Sequence, residues 1–114
     1  MPDKDDAALV VQLAQWGTMM GLDQALSELF SDDFDPESAT IDNHSVRRAL
    51  QFGETVGTLT KNGLISTELV LDWLWISGVW ERVGPAALKQ REKYGVSQLY
   101  ENMEALAAKQ GAPA

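Results

Sequence analysis

Apolar residues recur every three or four positions along most of this chain, which is the period of an α-helix rather than of a β-strand. The pattern predicts helices over residues 5–20, 22–30, 43–62 and 66–83, then one that starts at Pro85 and a last one capped by Ser97. The connecting segments are short, apart from the one between the second and third helices. The sequence therefore predicts an all-α fold.

Glycine, proline and capping residues mark the predicted helix ends. Gly63 can take the left-handed conformation that closes a helix, and Ser66 is a good N-cap for the next one. Gly84 is expected to end the fourth helix, because Pro85 is well tolerated at the first position of a fifth. These signals divide the chain from residue 43 onward into four helices.

The predicted architecture is a single-domain bundle of about five to six helices that spans residues 1–114. No linker divides the chain, and its length suits one hydrophobic core. Residues 43–62 and 66–83 are expected to form the central pair of helices. The acidic segment SDDFDPESATID at 31–42 is typical of a surface loop, and the tail KQGAPA at 109–114 is expected to be frayed.

The fourth predicted helix contains the tryptophan-rich stretch LVLDWLWISGVW. On a helical wheel Trp73 and Trp80 share the apolar arc, whereas Trp75 lies on the opposite face. Trp75 is either covered by another helix of the bundle or exposed as an anchor for a partner, since aromatic residues are enriched in interface cores. The candidates for an interface on this face are Trp75, Val79, Asp72 and Arg82.

Three small residues, Ala49, Gly53 and Gly57, recur every four positions at the centre of the apolar arc of the third helix. Each mid-helix glycine costs about 1 kcal/mol relative to alanine, so two on one line indicate a steric need. Such a groove admits a neighbouring backbone or seats a large ring. We expect Trp73 or Trp80 of an antiparallel fourth helix to lie over it. A ligand pocket there would be lined by Ala49, Phe52, Gly53, Gly57, Trp73 and Trp80.

Charge and composition exclude several classes of function. The net charge of −8 argues against binding to nucleic acid or anionic lipid, because both require Lys and Arg on the protein. The chain has no cysteine, which rules out disulfides and thiol catalysis and fits the cytoplasm. Its acidic start lacks the features of a signal peptide, and no apolar run reaches the roughly 18–20 residues of a membrane span. We therefore expect a cytoplasmic protein without a membrane span.

The chain carries no recognisable catalytic or metal-binding motif. Its only histidine is His44. In a calcium loop beginning at Asp33, Ser38 and His44 would stand where glycine and glutamate are required. Phosphate loops, nucleophile elbows and HExxH motifs are absent, and nothing singles out two carboxylates as an acid–base pair. We therefore expect no cofactor, no metal site and no enzymatic activity.

Spaced positions from the third helix onward carry a resemblance to a known family. They are Arg48-Ala49-Leu50, Phe52-Gly53-Glu54, Val56-Gly57, Gly63-Leu64-Ile65, Trp80, Pro85, Arg91, Tyr94-Gly95, Tyr100, Glu104 and Leu106. Over about residues 43–107 the chain thereby resembles an uncharacterised bacterial family of helical domains of unknown function. The resemblance implies a small helical domain without catalytic residues, and it leaves out the first helix and the acidic loop. Within it, Arg91 and Glu104 are expected to form an ion pair that joins two helices.

These observations favour a non-catalytic domain for protein–protein interaction or self-association. The expected partner is a second copy of the chain or another protein. The alternative is a small-ligand sensor with a pocket between the third and fourth helices.

Overall fold

The computed structural model describes residues 2–111 of the protein. Its helices are α1 (Lys4–Met19), α2 (Leu22–Leu29), α3 (His44–Lys61), α4 (Thr67–Trp73), α5 (Ile76–Tyr94) and α6 (Glu101–Gly111). No strand occurs within this range, so the predicted all-α bundle of five to six helices is confirmed. None of the helices in the described part of the chain has both the length and the apolar character needed to cross a membrane.

Helix α3 lies at the centre of the bundle and packs against α2, α5 and α6. It begins after Asn43, whose Oδ1 accepts hydrogen bonds from the backbone N–H groups of Ser45 and Val46 at 2.9 and 3.1 Å. It ends before Gly63, which takes the predicted left-handed conformation with φ 69°. The apolar side chains that α3 buries are Val46, Ala49, Leu50, Phe52 and Val56. One face of α3 thus supplies the middle of the hydrophobic core.

The predicted helix over 66–83 is wrong, and with it the predicted central pair. Helix α4 ends at Trp73, Leu74 is extended (φ −114°, ψ 141°), and α5 begins at Ile76. The chain therefore turns a corner at Leu74 and Trp75, in the middle of the tryptophan-rich stretch. Helix α3 pairs with α6 and α2 instead of with one long fourth helix.

The side chain of Gln110 in α6 holds this corner. Its Nε2 donates to the carbonyl oxygens of Leu71 and Leu74 at 2.9 and 2.7 Å, and its Oε1 accepts from the N–H of Ser77 at 2.8 Å. In a continuous helix all three backbone groups would be bonded within that helix. The amide of Gln110 takes the place of those bonds, which is why the helix can break at this point without leaving these groups unsatisfied. We call this arrangement the Gln110 clamp.

The predicted break at Gly84 and Pro85 is also wrong, since α5 continues through both residues. Gly84 provides room for the indole of Trp80, because a Cβ at this position would lie 3.0 Å from Cε2 of the ring. Pro85 removes the N–H that would bond to the carbonyl of Glu81. Glu81 lies on the exposed side of α5, where water can bond to the freed carbonyl. The two residues are therefore accommodated inside α5.

Helix α6 begins at Glu101, several residues after the predicted cap Ser97. A carboxylate from α3 takes over the role of the cap. Oε1 of Glu54 accepts the backbone N–H of Met103 at 2.8 Å, and its Oε2 accepts from Nδ2 of Asn102 at 2.9 Å. A negative charge at this end of a helix also interacts favourably with the helix dipole. The start of α6 is thus determined by α3.

The predicted frayed tail over 109–114 is wrong for its first part. Residues 109–111 continue α6, because Gln110 is held by its three hydrogen bonds to the corner. The remainder of that prediction, 112–114, lies outside the described residues.

The glycine groove of α3 is filled by α6, so the predicted tryptophan over it is wrong. A Cβ at Gly57 would lie 2.6 Å from the backbone carbonyl of Asn102, and one at Gly53 would overlap the side chain of Met103. Of the two expected uses of the groove, close approach of a neighbouring backbone is the observed one. The two glycines let α6 pack directly against the backbone of α3.

The acidic segment 31–42 forms a series of turns that are tied to the bundle. Nζ of Lys89 donates to the carbonyl oxygens of Glu37 and Ala39 at 2.5 and 2.9 Å. A similar bond ties α1 to the segment before α4, since Oδ1 of Asp6 accepts the backbone N–H of Ser66 at 2.7 Å. Side chains thus fasten these connecting segments to neighbouring helices.

Candidate functional site

An apolar pocket of about 220 Å³ opens beside the corner between α4 and α5. Buried residues of α2, α3 and α6 form its inner end, and the exposed Phe30 and Trp75 stand at its opening. The residues that line it are Leu22, Leu26, Phe30, Ala49, Phe52, Gly53, Leu74, Trp75, Ile76, Val79 and Met103. None of these side chains is titratable. The pocket can therefore hold an apolar group but offers no acid, base or nucleophile of its own.

Trp75 is the most prominent side chain at this opening. It is 64% exposed, and its ring stacks on Phe30 with the centroids 5.6 Å apart and the planes 15° from parallel. On the same Phe30 ring, Cζ of Arg82 lies 5.5 Å from the centroid. Such stacked and cation–π contacts each contribute about 0.5–1.5 kcal/mol. The three side chains form an ordered aromatic surface next to the pocket.

The position of Trp75 follows from the corner in the backbone. Trp75 occupies the N-cap position of α5 with φ −92° and ψ 69°, so it belongs to neither helix. Its indole lies over Gly78, where any Cβ would overlap the ring. Of the two interpretations of the sequence, the exposed tryptophan is the one observed, and the covering helix is absent from residues 2–111. A role of Trp75 in binding remains a prediction.

The predicted interface residues come together only in part. Val79 is half-buried and lines the pocket, and Arg82 is half-buried against Phe30. Asp72 is exposed on α4 and does not line the pocket. Trp75, Val79 and Arg82 therefore share one site, with Asp72 outside it.

Only some of the predicted pocket residues line the observed pocket. Ala49, Phe52 and Gly53 line the pocket, whereas Gly57, Trp73 and Trp80 do not. Trp73 packs edge-on against Phe52 with the ring centroids 6.2 Å apart. Trp80 covers Gly84, and Gly57 faces α6. The pocket therefore lies between α2, α3, α5 and α6 rather than between α3 and α4.

The predicted pair of Arg91 and Glu104 joins α5 to α6. Nη2 of Arg91 lies 3.0 Å from Oε1 of Glu104, and Nε of Arg91 donates to the carbonyl oxygen of Leu99 at 2.7 Å. Within residues 2–111 this is the one ion pair between side chains. The Glu104 side chain is 45% exposed, so solvent screens the pair and its contribution is modest. Its geometry fits a structural role.

Sequence reasoning missed part of the site. Leu22, Leu26 and Phe30 follow one another at four-residue spacing on α2, and this stripe was available as a signal. Phe30 lies at the end of α2 and next to acidic residues, so nothing in the neighbouring sequence indicated that its ring stacks on Trp75. Met103 lines the pocket only because α6 packs into the glycine groove of α3.

Titratable side chains also lie together outside the pocket, at open depressions of the surface. Burial raises the pKa of the Tyr100 phenol, and the nearby carboxylate of Glu54 raises it further. Tyr100 lines an open depression with Arg47 and Glu54, whose carboxylate already bonds the start of α6. Between residues 2 and 111 no three His, Asp or Glu side chains are grouped as metal ligands would be. The apolar pocket is therefore the strongest candidate site.

Comparison with known proteins adds a family but no function. A family model described as a domain of unknown function, DUF4760, matches residues 5–110. The match confirms the predicted resemblance to a helical family of unknown function. It also includes α1 and the acidic loop, so the expectation that these segments lie outside the family is wrong. No curated protein and no solved structure matches the chain.

Proposed function

Since the chain belongs to the DUF4760 family, whose function is unknown, we propose from its site that it is a non-catalytic protein-interaction domain. The contact surface is formed by Phe30, Trp75, Val79 and Arg82 around the apolar pocket. We call it the Trp75 surface. It can receive one large apolar side chain of a partner protein.

The observation that carries the proposal is the exposure of Trp75 at the edge of an apolar pocket. Burying an indole contributes strongly to folding, so a tryptophan left in solvent forgoes a stabilisation of about 2–3 kcal/mol. Tryptophan and arginine are also the residues that most often dominate binding energy at interfaces. The Trp75 surface combines both with a pocket, which is the usual setting of an interface anchor.

The size and chemistry of the pocket favour a partner side chain. Pockets for small molecules typically measure about 300–1,000 Å³ and carry a few polar groups that orient the ligand. This pocket has a volume of about 220 Å³ and an apolar lining. It suits one inserted aromatic or long aliphatic side chain. The lack of titratable groups in its lining supports a non-catalytic role.

The partner is a protein, either a second copy of the chain or a different one, rather than nucleic acid, since the net charge is −8. The absence of cysteine supports the cytoplasm as the compartment in which this interaction takes place. Light scattering in line with size exclusion, across a concentration series, distinguishes the two kinds of partner. A dimer that Trp75→Ala converts to monomer identifies the second copy.

Affinity purification from cells tests the proposal directly. The tagged protein is compared with Trp75→Ala and with Tyr94→Ala, a matched control at the other end of α5 whose aromatic side chain is 62% exposed. We expect proteins that are retained by the wild type and by Tyr94→Ala but lost from Trp75→Ala. If Trp75→Ala retains the same proteins, and scattering shows a monomer throughout, the Trp75 surface is not an interaction site.

A small apolar ligand is the second candidate function, because the same pocket is enclosed on its inner side by buried residues. Native mass spectrometry of protein purified from cells tests for a retained small molecule. A specific adduct that is lost in Val79→Trp, a substitution intended to fill the pocket, would favour the ligand over the protein partner.

A further inference from the structure

The central helix α3 ends at the dipeptide Asn62-Gly63. An asparagine that precedes glycine loses its side-chain amide most readily, because glycine has no side chain to hinder attack by its backbone nitrogen. The two other asparagines of the chain, Asn43 and Asn102, precede a histidine and a methionine. Asn62 is therefore the asparagine whose neighbour in the chain most favours this reaction.

The fold uses both reacting groups of this dipeptide to end α3. Nδ2 of Asn62 donates to the carbonyl oxygen of Thr58 at 2.8 Å, and the N–H of Gly63 donates to the carbonyl oxygen of Thr60 at 3.1 Å. Asn62 is exposed, so water reaches the site. The nucleophile and the amide that it would attack are thus accessible to solvent but held apart by hydrogen bonds.

We propose that Asn62 is a site of spontaneous deamidation and that the end of α3 controls its rate. When the last turn opens, the backbone nitrogen of Gly63 gives its proton to hydroxide and attacks Cγ of Asn62. The bond from Cγ to the side-chain nitrogen breaks, this nitrogen takes a proton from water and leaves as ammonia, and a succinimide ring joins the two residues. Water then opens the ring at either carbonyl, which gives aspartate or isoaspartate at position 62. The reaction consumes only water and is independent of the Trp75 surface.

The product alters the end of the central helix. The donor to the carbonyl of Thr58 is lost, and a negative charge appears beside the last carbonyl groups of α3, where the helix dipole is also negative. Isoaspartate in addition inserts a methylene group into the backbone of the turn that Gly63 closes with φ 69°. Deamidation therefore weakens the end of α3.

The two hydrogen bonds determine how strongly the fold suppresses the reaction. Each exposed bond of this kind shifts an equilibrium about fivefold, so breaking both makes the reactive form about twenty-five-fold rarer. Hydrogen exchange at the Gly63 amide requires the same N–H group to leave Thr60. The slowing of deamidation by the fold should therefore be at least as large as the protection of this amide against exchange.

Peptide mapping by mass spectrometry measures the reaction in the full chain at mildly alkaline pH. The protein is incubated folded and, in parallel, unfolded in concentrated urea, and the gain of about one mass unit is assigned to each asparagine. We expect Asn62 to convert about twenty-five times more slowly in the folded protein. In urea, Asn43 and Asn102 should convert at least about fivefold more slowly than Asn62, because their neighbours carry side chains.

A matched pair of variants tests the consequence for the fold. Asn62→Asp reproduces one product, and Gln12→Glu introduces the same charge at an exposed position of α1. We expect Asn62→Asp to raise the equilibrium constant of unfolding about fivefold in urea, and Gln12→Glu to change it by no more than about twofold.

Three results would overturn parts of this proposal. Conversion in urea that is no faster at Asn62 than at Asn43 and Asn102 removes the site. Conversion that the fold slows by less than the measured protection of the Gly63 amide removes the control by α3. Equal stability of Asn62→Asp and Gln12→Glu removes the consequence for the helix. None of these results bears on the Trp75 surface, so the proposed function is tested separately.

Discussion

Replacing Gln110 by alanine is the most informative test of how this fold is held together. The substitution removes the two donors that bind the carbonyl oxygens of Leu71 and Leu74 and the acceptor that binds the N–H of Ser77. It leaves the helix propensity of α6 intact, because alanine is the best helix former. The change therefore acts on the corner between α4 and α5 and not on the helix that carries the residue.

The expected loss of stability follows from the three hydrogen bonds. Each contributes about 0.5–1.5 kcal/mol net, and Gln110 is half-buried, so water can satisfy some of the freed groups. We expect Gln110→Ala to lower the free energy of unfolding by about 2 kcal/mol. For a domain of this length that corresponds to a fall in Tm of roughly 8 °C. Gln110→Glu should cost at least as much, since it sets a carboxylate against two carbonyl oxygens.

Urea unfolding followed by circular dichroism measures this difference, with Gln12→Ala as the control. Gln12 is an exposed glutamine in α1, and its removal should change stability by no more than about 0.5 kcal/mol. Hydrogen exchange adds a local reading, because the amide of Ser77 should lose protection in Gln110→Ala. Equal stability of the two variants, with the Ser77 amide still protected, would refute the stabilisation of the corner by Gln110.

Three further predictions concern single residues. Gly57→Ala should lower the free energy of unfolding by about 1–2 kcal/mol, because the added Cβ would lie 2.6 Å from the backbone of α6; a Tm equal to that of the wild type would contradict this. Hydrogen bonds from the backbone N–H groups of Asp3 and Ser66 lower the pKa of Asp6 from its ordinary value of 3.8. The stability that this carboxylate contributes is therefore complete above pH 3.8 and is lost as the pH falls through the pKa of Asp6 in the folded state. Asp6→Ala should thus be less stable than the wild type at pH 7 and converge with it under acid, whereas a constant difference in urea unfolding down to about pH 2 would argue against the bond. Trp75→Ala should lower stability by no more than about 1.5 kcal/mol in thermal unfolding, since the side chain is largely exposed and loses mainly its stack on Phe30; a larger loss would mean that its main role is to support the fold.

Local patterns in the sequence were sufficient for the elements whose signals are also local. The period of the apolar residues predicts the helices, Gly63 closes α3 as expected, and the small residues of α3 mark a close approach between helices. The identity of the approaching helix could not be predicted, since Gly53 and Gly57 would admit α4 as readily as α6. In the fold the helix that approaches is α6, and the carboxylate of Glu54 on α3 binds its first turn.

The corner at Leu74 and Trp75 could not be predicted from any local pattern. Gln110, whose side chain bonds the corner, lies 33 to 39 residues away from the groups that it binds, and residues 66–83 show an uninterrupted helical period. Gly84 and Pro85 gave a misleading signal, because tertiary packing of Trp80 overrides their tendency to end a helix. Only part of the candidate site could be predicted from the sequence. The helical wheel identifies Trp75 on the polar face, but Phe30 becomes its neighbour only through the tertiary fold.

The Gln110 clamp has a consequence for the thermodynamics of anything that binds near it. A surface tryptophan on a mobile loop loses backbone and side-chain entropy when a partner immobilises it, and this loss weakens the complex. The backbone on both sides of Trp75 is instead held by the amide of Gln110, and the ring of Trp75 packs against Gly78 and Phe30. Most of this ordering is completed when the domain folds. The indole is therefore preorganised, and a partner that covers it gains its contact area at little further entropic cost.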